Sequence, residues 1–547
     1  MNGTEVIAQI LKSEGVEWMA CFPSNPLIEA VAKVGIRPIA FRHERGAVMA
    51  ADAYSRLGDR NRFGVVAVQS QAGAENAMGG ISQAFADNVP ILVLPGGAPL
   101  ASAAVRPNFS AFNTYQSITK QVEVILRPEQ VGDVMRRAFH ALRNGRPGPV
   151  VVEMPSDVCG EEVPEAGLQY ISPKVSIQLP SPSDVKDAVK ALLEAKKPVI
   201  WAGMGVLLAG ASAALTEFAE LTEIPVYTTM PGKSSIDERH PLALGGGSGA
   251  TTLAARQWLQ ESDVLFAVGS SMTRTGYGQP IPEGKLIIHN VGSVEDINKD
   301  FAADIALPGD ARATLAAMIE EVKSQLGENG RKGQTDVPGE MAKVKEQWME
   351  AWMPLLTDNE EPINPYRVIW ELNQNLDLEN SIVTHDAGAP RDMIMPFFTA
   401  TVPHSYIGWG KSTHLGYGIP LMIGAKMANP DKFCLNFMGD GAFGMSGLDI
   451  ETSARTGVPI TTIVLNNGGM ATYPGGFPTA REVYGVSHMI GDYAKIAEGM
   501  GAIGITVMKP AEIASALKRA QELNSDGKTV LLDIHTRFED RRSPRDG

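Results

Sequence analysis

The chain has 547 residues, a formal net charge of −14, 44% hydrophobic and 20% charged residues, which suits a globular protein of about three ordinary domains. The acidic balance excludes nucleic acid and anionic membranes as partners, since both need a basic face, but it leaves room for a small anionic substrate met by local positive groups. The three cysteines, Cys21, Cys159 and Cys434, lie far apart, with neither a disulfide framework nor zinc spacing, which points to a reducing cytoplasm.

The chain opens on MNGTEVIAQILKSEGVE, an amphipathic helix containing acids and neither a signal nor a transit peptide. No uncharged apolar run reaches membrane-spanning length. PIAF reads as a strand with Glu44 at its end, and GAVMAADAYSRL as the helix that follows. Taken alone, an acid just before a helix is a cap or a partner for the helix dipole. Short apolar strands, GVVAVQ, PILVLPG and GPVVVEM, alternate with helical segments through a first block over 1–165. A second block spans 181–326, starting in the turn-rich LPSPSD, and GENGRKGQTDVPGE after it reads as an exposed linker. A third block spans 364–540, and RFEDRRSPRDG reads as a loose tail. The alternation predicts an α/β protein of three doubly wound domains with mainly parallel sheets covered on both faces.

Inside the third block, FCLNFM is apolar and β-prone, and GDG at 439–441 ends it. SGLDIETSARTG follows as a helix with Gly457 and Pro459 as stop signals, and ITTIVL is a second buried strand broken by Asn466-Asn467-Gly468-Gly469. A strand, helix and strand of this length make a right-handed parallel crossover. Both strand ends then lie on the edge where open α/β sheets bind ligands, and Asp440 comes beside Asn467. A carboxylate oxygen, an amide oxygen and a free carbonyl suit Mg²⁺ or Ca²⁺. The glycine-flanked helix N-terminus suits a phosphate. The segment therefore predicts a metal–diphosphate cradle.

GDG, then 442–465, then NN resembles the signature of thiamine diphosphate enzymes. The three-block order, over nearly the whole chain, resembles their acetolactate synthase, pyruvate oxidase and 2-oxo acid decarboxylase branch. The resemblance implies that Asp440, the Asn467 side chain and the Gly469 carbonyl hold Mg²⁺, and that the metal holds the diphosphate of thiamine diphosphate. It implies that the first block binds the aminopyrimidine, with Glu44 hydrogen-bonded to its ring nitrogen to favour the imino tautomer. THLGYGIP at 413–420 resembles the segment whose apolar side chain, here Leu415, wedges under the cofactor. SQAGAEN at 70–76 stands where the family has SGPGATN: Gly73 and Asn76 fit, while Gln71 and Ala72 replace Gly and Pro. Further cofactor contacts are implied for Ala72, Asn76 and Thr413, for Gly388 and Ala389, and, around the cradle, for Gly439, Gly441, Ala442 and Met470. The family builds this site between two chains, so a homodimer or homotetramer is expected.

The departures from the family bear on substrate. Gly97 in LPGGAP stands where acetolactate synthases have a pocket glutamine, and Gly388-Ala389-Pro390 stands where the family has Gly-Gln-His. Ser24 and Asn25 replace two glycines of acetolactate synthases. Asn25 has two readings, a polar group facing the reacting carbon or an Asn-Pro turn, and Gln71 joins it among the candidate catalytic side chains. Of His43, His385 and His414, the last is the best acid–base candidate, one residue before Leu415. In LIIHNVGSVEDI, Asn290 and Gly292 occupy places where FAD-binding relatives carry acids, so no tightly bound FAD is expected. GSSMTRTGYG at 269–278 and Lys233 read as solvent loops in preference to a phosphate site. The function expected is a thiamine diphosphate- and Mg²⁺-dependent decarboxylase or carboligase of a 2-oxo acid. The alternative is a decarboxylase or lyase of oxalyl-CoA or 2-hydroxyacyl-CoA, whose loops AGAPRDM and NNGG loosely resemble. A relative that had lost its chemistry would have lost Glu44, Asp440 or Asn467 first, and all three stand. An NAD dehydrogenase would need a G-x-G-x-x-G turn followed by an acid, which neither terminal block contains.

Overall fold

Three sheets, each of six parallel strands, form the frame of this computed structural model, which describes residues 1–58, 60–470 and 476–544. The first sheet holds β1 (Trp18–Cys21), β2 (Arg37–Ala40), β3 (Gly64–Val68), β4 (Ile91–Gly97), β5 (Gln121–Val124) and β6 (Val150–Pro155), in the order β2-β1-β3-β4-β6-β5. The second holds β7 (Pro198–Ala202), β8 (Val226–Thr229), β9 (Ala243–Gly247), β10 (Val264–Val268), β11 (Leu286–Val291) and β12 (Ile305–Pro308), in the order β12-β11-β10-β7-β8-β9. The third holds β13 (Ser381–His385), β14 (Tyr406–Ile407), β15 (Phe433–Gly439), β16 (Thr461–Asn466), β17 (Ile503–Val507) and β18 (Val530–His535), in the order β14-β13-β15-β16-β18-β17. Strands such as β3, β6 and β10 are buried along their whole length, which is why they read as unbroken apolar runs. In every sheet the chain reverses its direction of growth beside the first strand, and such a switch point leaves a crevice at the strand C-termini.

The chain divides into two compact units. One comprises Met1–Ser176, Ser412–Pro430 and Ser446–Val458; the other comprises Ile177–Lys411, Asp431–Met445 and Pro459–Gly547. Among the described residues, no helix is long and apolar enough to cross a membrane. The three cysteines are buried and outside any disulfide, and burial pushes the Cys21 and Cys159 thiols up to about 12, so these two are inert as nucleophiles.

Three segments depart from the sequence reading. The exposed linker ends early: a helix, Val337–Leu356, starts inside it and buries Trp348, Trp352 and Leu356. Before that helix the chain is tied down, since Glu223 accepts from Gly333 N at 2.6 Å and Thr335 N at 2.8 Å. The GDG stretch passes directly from strand to helix, Gly439 ending β15 and Asp440–Ser446 forming a helix that precedes a second one, Asp449–Thr456, capped by Gly457 at φ +67°. The loose tail is a strap. Ser543 is fully buried, donates Oγ to Thr251 O at 2.9 Å and accepts from Trp348 Nε1 at 2.7 Å, while the Arg541 guanidinium lies 4.5 Å over Trp352.

Candidate cofactor site

In the first unit, the helix Glu44–Arg56 starts just after β2, and Glu44 is its first residue. His43 caps it, its Nδ1 accepting from Arg45 N at 3.2 Å. Burial lowers the pKa of His43 despite the nearby Glu44 carboxylate, which favours the neutral, accepting ring that the cap needs. Glu44 is 4% exposed, and its Oε2 accepts from Asn76 Nδ2 at 3.0 Å. Asn76 comes from the helix Ala72–Ala86. A Cβ on Gly73 would sit 2.7 Å from Gln69 Cβ and 3.2 Å from Glu44 Oε1, so only glycine lets this helix end meet the carboxylate. Gln71, the residue before the helix, holds φ +59° and ψ −118°, a backbone form that costs a non-glycine residue on the order of 1–3 kcal/mol. Its side-chain amide is engaged. Phe109 N donates to Oε1 at 3.0 Å, and Nε2 donates to Asn108 Oδ1 at 3.2 Å.

The segment carrying Thr413, His414 and Leu415 docks on the same two helices. Gln83 Oε1 accepts from Ser412 Oγ at 2.7 Å and from His414 N at 3.3 Å, and Gln83 Nε2 donates to Asp87 Oδ2 at 2.8 Å. Tyr417 OH donates to Asp52 Oδ2 at 3.1 Å, and Arg56 bridges Asp52 and Asp87. These charges are buried, where they are stable only as a paired set. A Cβ on Gly79 would overlap His414 Nε2, so the imidazole rests on bare backbone one turn beyond Asn76. Burial and Arg45 push the His414 pKa down, leaving the ring neutral at pH 7. Leu415 is half-buried. Gln83 and its network are invisible in the sequence, because a glutamine inside a helix carries no sign of a partner more than 300 positions away.

Asp449 fixes the start of the Glu44 helix. Its Oδ1 accepts from Arg42 N at 3.0 Å and Thr452 Oγ1 at 2.9 Å, and a Cβ on Gly46 would overlap Oδ2. Burial pushes the Asp449 carboxyl up to about 6 from its ordinary 3.8, against the pull of the Arg42 amide, Thr452 and Arg45. The folded protein therefore keeps a proton that the unfolded chain releases between these two values, and stability falls as pH rises through that window. Asp449→Asn keeps the Oδ1 acceptor and removes the titration. The stability advantage of wild type over variant, from urea unfolding, should shrink by about 2 kcal/mol between pH 4 and pH 7. Parallel pH profiles would show that this carboxyl ionises in the fold at no cost.

In the second unit, β13, β15 and β16 are parallel neighbours with His385 opposite Phe437 and Gly439 opposite Leu465. Their ends bring 386–390, 439–442 and 467–470 to one edge, at the switch point of that sheet. Asp440 is 2% exposed and accepts from Gly441 N at 2.8 Å and Gly468 N at 2.9 Å. Asn467 Oδ1 accepts from Gly469 N at 3.0 Å. Burial pushes the Asp440 carboxyl up, and only backbone amides pull it back; no side-chain cation among the described residues pairs with it. A buried carboxylate without a counter-ion needs one. With an amide oxygen and a main-chain carbonyl adjacent, the donor set fits a hard divalent cation. Among the described residues there is no cluster of three His, Cys, Asp or Glu side chains that could hold a metal ion. Close packing accounts for Gly441, where a Cβ would come within 2.9 Å of Met470 Cγ, and backbone form accounts for Gly388, at φ +91° before the helix Ala389–Phe397; a Cβ on Gly439 would only touch Pro390 Cγ at 3.6 Å. Ala442 is buried behind them.

Several candidates have structural duties instead. Asn25 is buried, donates Nδ2 to Val68 O at 2.8 Å and Leu94 O at 3.1 Å, and accepts from Leu27 N at 3.0 Å. Both amide hydrogens are thus engaged by main-chain carbonyls at the end of β3 and within β4. His385 is fully buried and stacks on Trp409 with centroids 5.1 Å apart and an interplanar angle of 12°, a core histidine. Lys233 lies in neither a solvent loop nor a phosphate site; it is fully buried, with Nζ 2.6 Å from both Glu238 oxygens. Asn290 is also fully buried, accepting from Gly269 N at 3.2 Å and donating to Leu307 O at 2.9 Å. At the switch point of the second sheet, Gly205 N donates to Gly269 O at 2.8 Å, and a Cβ on Gly203 would overlap the same carbonyl.

Comparison with known proteins follows the same division. Family models of thiamine pyrophosphate enzymes match residues 1–152 as the N-terminal TPP binding domain, 185–318 as the central domain and 386–534 as the C-terminal TPP binding domain. The chain is 31% identical to a probable acetolactate synthase large subunit of Methanocaldococcus jannaschii, across 98% of this chain and 92% of that protein. It is 28% identical to the acetolactate synthase isozyme 3 large subunit of Escherichia coli, across 98% and 94%, and 28% identical to the acetolactate synthase large subunit of Corynebacterium glutamicum, across 98% and 86%.

Proposed function

Because the chain belongs to the thiamine pyrophosphate enzymes, in their acetolactate synthase-like branch, we propose that it decarboxylates a 2-oxo acid with thiamine diphosphate and Mg²⁺. The decarboxylated fragment is then protonated or passed to a second carbonyl. The observation that carries the metal is the buried Asp440 carboxylate, which has only backbone donors and stands beside Asn467. Asp440, Asn467 Oδ1 and the Gly469 carbonyl hold Mg²⁺, and the bare backbone of Gly388, with nothing within 4 Å of where a Cβ would be, leaves room for a diphosphate. When bound, thiamine diphosphate supplies a carbon nucleophile for the substrate carbonyl and an electron sink for the departing carboxylate. Glu44, steadied by Asn76, holds a proton at the pyrimidine ring nitrogen. Leu415 offers an apolar support, and His414, neutral on Gly79, stands one residue from it as a proton carrier.

The pyrimidine and diphosphate residues belong to different blocks, and the assembly that fits them is a homodimer or homotetramer. Val483, Tyr484, Val486 and Ile490, shortly after the Asn467–Gly469 stretch, are 54–87% exposed, an apolar surface suited to burial against a second copy. The close backbone approach of Gly203 and Gly205 to Gly269 and the engaged Asn290 amide argue against bound FAD. The three thiols, outside any disulfide, suit a reducing cytoplasm.

The test is a panel of 2-oxo acids and acyl-CoAs with thiamine diphosphate and Mg²⁺, following carbon dioxide and carbonyl products, on protein sized by light scattering and scanned for flavin absorbance. We expect turnover of a 2-oxo acid by a colourless dimer or tetramer. Turnover confined to oxalyl-CoA or a 2-hydroxyacyl-CoA would replace this reading with the acyl-CoA one, and an active monomer would overturn the assembly.

A further inference from the structure

We propose that Gln71 is a positioning residue: it latches the 102–112 loop beside Glu44, making that loop a wall of the substrate pocket. The proposal rests on the 2-oxo acid reading. The loop follows β4 and is fastened at its base by two acids. Leu100 N donates to Asp157 Oδ2 at 2.9 Å, and the buried Glu153 accepts from Phe112 N at 2.8 Å and Ser110 Oγ at 3.5 Å. Its crest, Asn108 and Phe109, is hydrogen-bonded to another element only through Gln71 among the described residues, while the Phe109 ring packs edge-on against Tyr115 with centroids 5.9 Å apart. Asn108 Nδ2 donates back to Ser102 O at 2.8 Å, so the Gln71 bond reaches both limbs of the loop.

Two observations make the latch more than a tolerated replacement. Gln71 holds its left-handed backbone at φ +59°, where glycine would be relaxed; the side chain is retained with both ends of its amide bonded. Its place is also adjacent to the chemistry. Ala72 begins the helix, the next residue, Gly73, is pressed against Glu44, and Tyr115 at the end of the loop donates to Ala74 O. Gly97 cannot supply the wall, since a Cβ there would meet Glu153 Cγ and Pro155 N at 3.1 Å. The 102–112 loop supplies the wall in its place, and its position is set from residue 71.

Gln71→Gly and Gln71→Glu separate strain from latch. The glycine variant relaxes the backbone and loses both bonds, whereas the glutamate keeps an acceptor for Phe109 N. In hydrogen–deuterium exchange of the holoenzyme, amides over 102–112 should exchange faster in Gln71→Gly, with melting no lower than wild type, and Gln71→Glu should recover most of the protection. KM for the 2-oxo acid should rise roughly tenfold in Gln71→Gly, with a smaller fall in kcat, because a displaced wall costs positioning. Unchanged exchange over 102–112 would overturn the latch, and faster exchange with unchanged KM would overturn the wall. A loosened loop in a protein that turns over no 2-oxo acid would sink the functional reading and leave the latch standing.

Discussion

Asp440→Ala is expected to yield a folded protein that no longer retains thiamine diphosphate. Asp440 is the anionic donor of the proposed metal set, and the other two donors, Asn467 and the Gly469 carbonyl, are neutral. A metal held by the two neutral oxygens alone would leave the charge of the diphosphate poorly compensated. Loss even of groups that only orient metal ligands costs about 10- to 100-fold in affinity, so loss of this ligand should weaken cofactor binding by at least roughly 100-fold. The same change removes a buried carboxylate that burial already pushes toward its neutral form. The apo variant should therefore melt no lower than the apo wild type, which separates a lost site from a lost fold. Titration calorimetry with thiamine diphosphate and Mg²⁺ checks the first expectation and a thermal melt the second. Normal cofactor affinity in the variant would mean that the metal is held elsewhere.

The Asp440–Asn467 pairing was legible because each step leading to it is local. Apolar β-prone runs mark β15 and β16, a helix between them forces a parallel crossover, and parallel neighbours end on the same edge. Glu44 was legible for a related reason, since a strand, an acid and a helix follow one another without a break. Illegible features depend on partners far along the chain. Asn25 is pinned to carbonyls 43 and 69 positions away, so its residue type alone could not separate a turn from a catalytic amide. Lys233 reads as a loop lysine until Glu238 and the ring of Tyr406, 5.5 Å from its Nζ, enclose it. The helix Val337–Leu356 is masked by Pro338 and Gly339. Both are breakers in a helix interior, but here they fall in its first turn, where proline is favourable. The charged C-terminal strap has no apolar pattern at all; it is held through main-chain carbonyls, Ser543 and the Trp352 face.

The remaining large effect is expected for Glu44→Gln. The substitution preserves size, and the site allows little movement, since Gly73 closes one side of the carboxylate and Asn76 holds the other at 3.0 Å. The new side chain can still accept from Asn76 through its amide oxygen, but it cannot exchange a proton with the pyrimidine nitrogen. Cofactor affinity should stay near wild type, because the metal and diphosphate contacts belong to the third block. General acid–base help is worth about 10² to 10⁴ in rate, so turnover should fall by that range, which is about 3 to 5 kcal/mol of barrier. The loss should fall on kcat more than on KM, as when an interaction acts in the transition state. Exchange of the cofactor C2 proton with solvent deuterium, followed by NMR in quenched samples, reads the activation step without needing the substrate to be known. Slow exchange with near-normal cofactor affinity supports the role assigned to Glu44. Wild-type exchange would mean that another group activates the cofactor, and Glu44 would then be the acid that partners its own helix dipole, anchored by Asn76 for structural reasons alone.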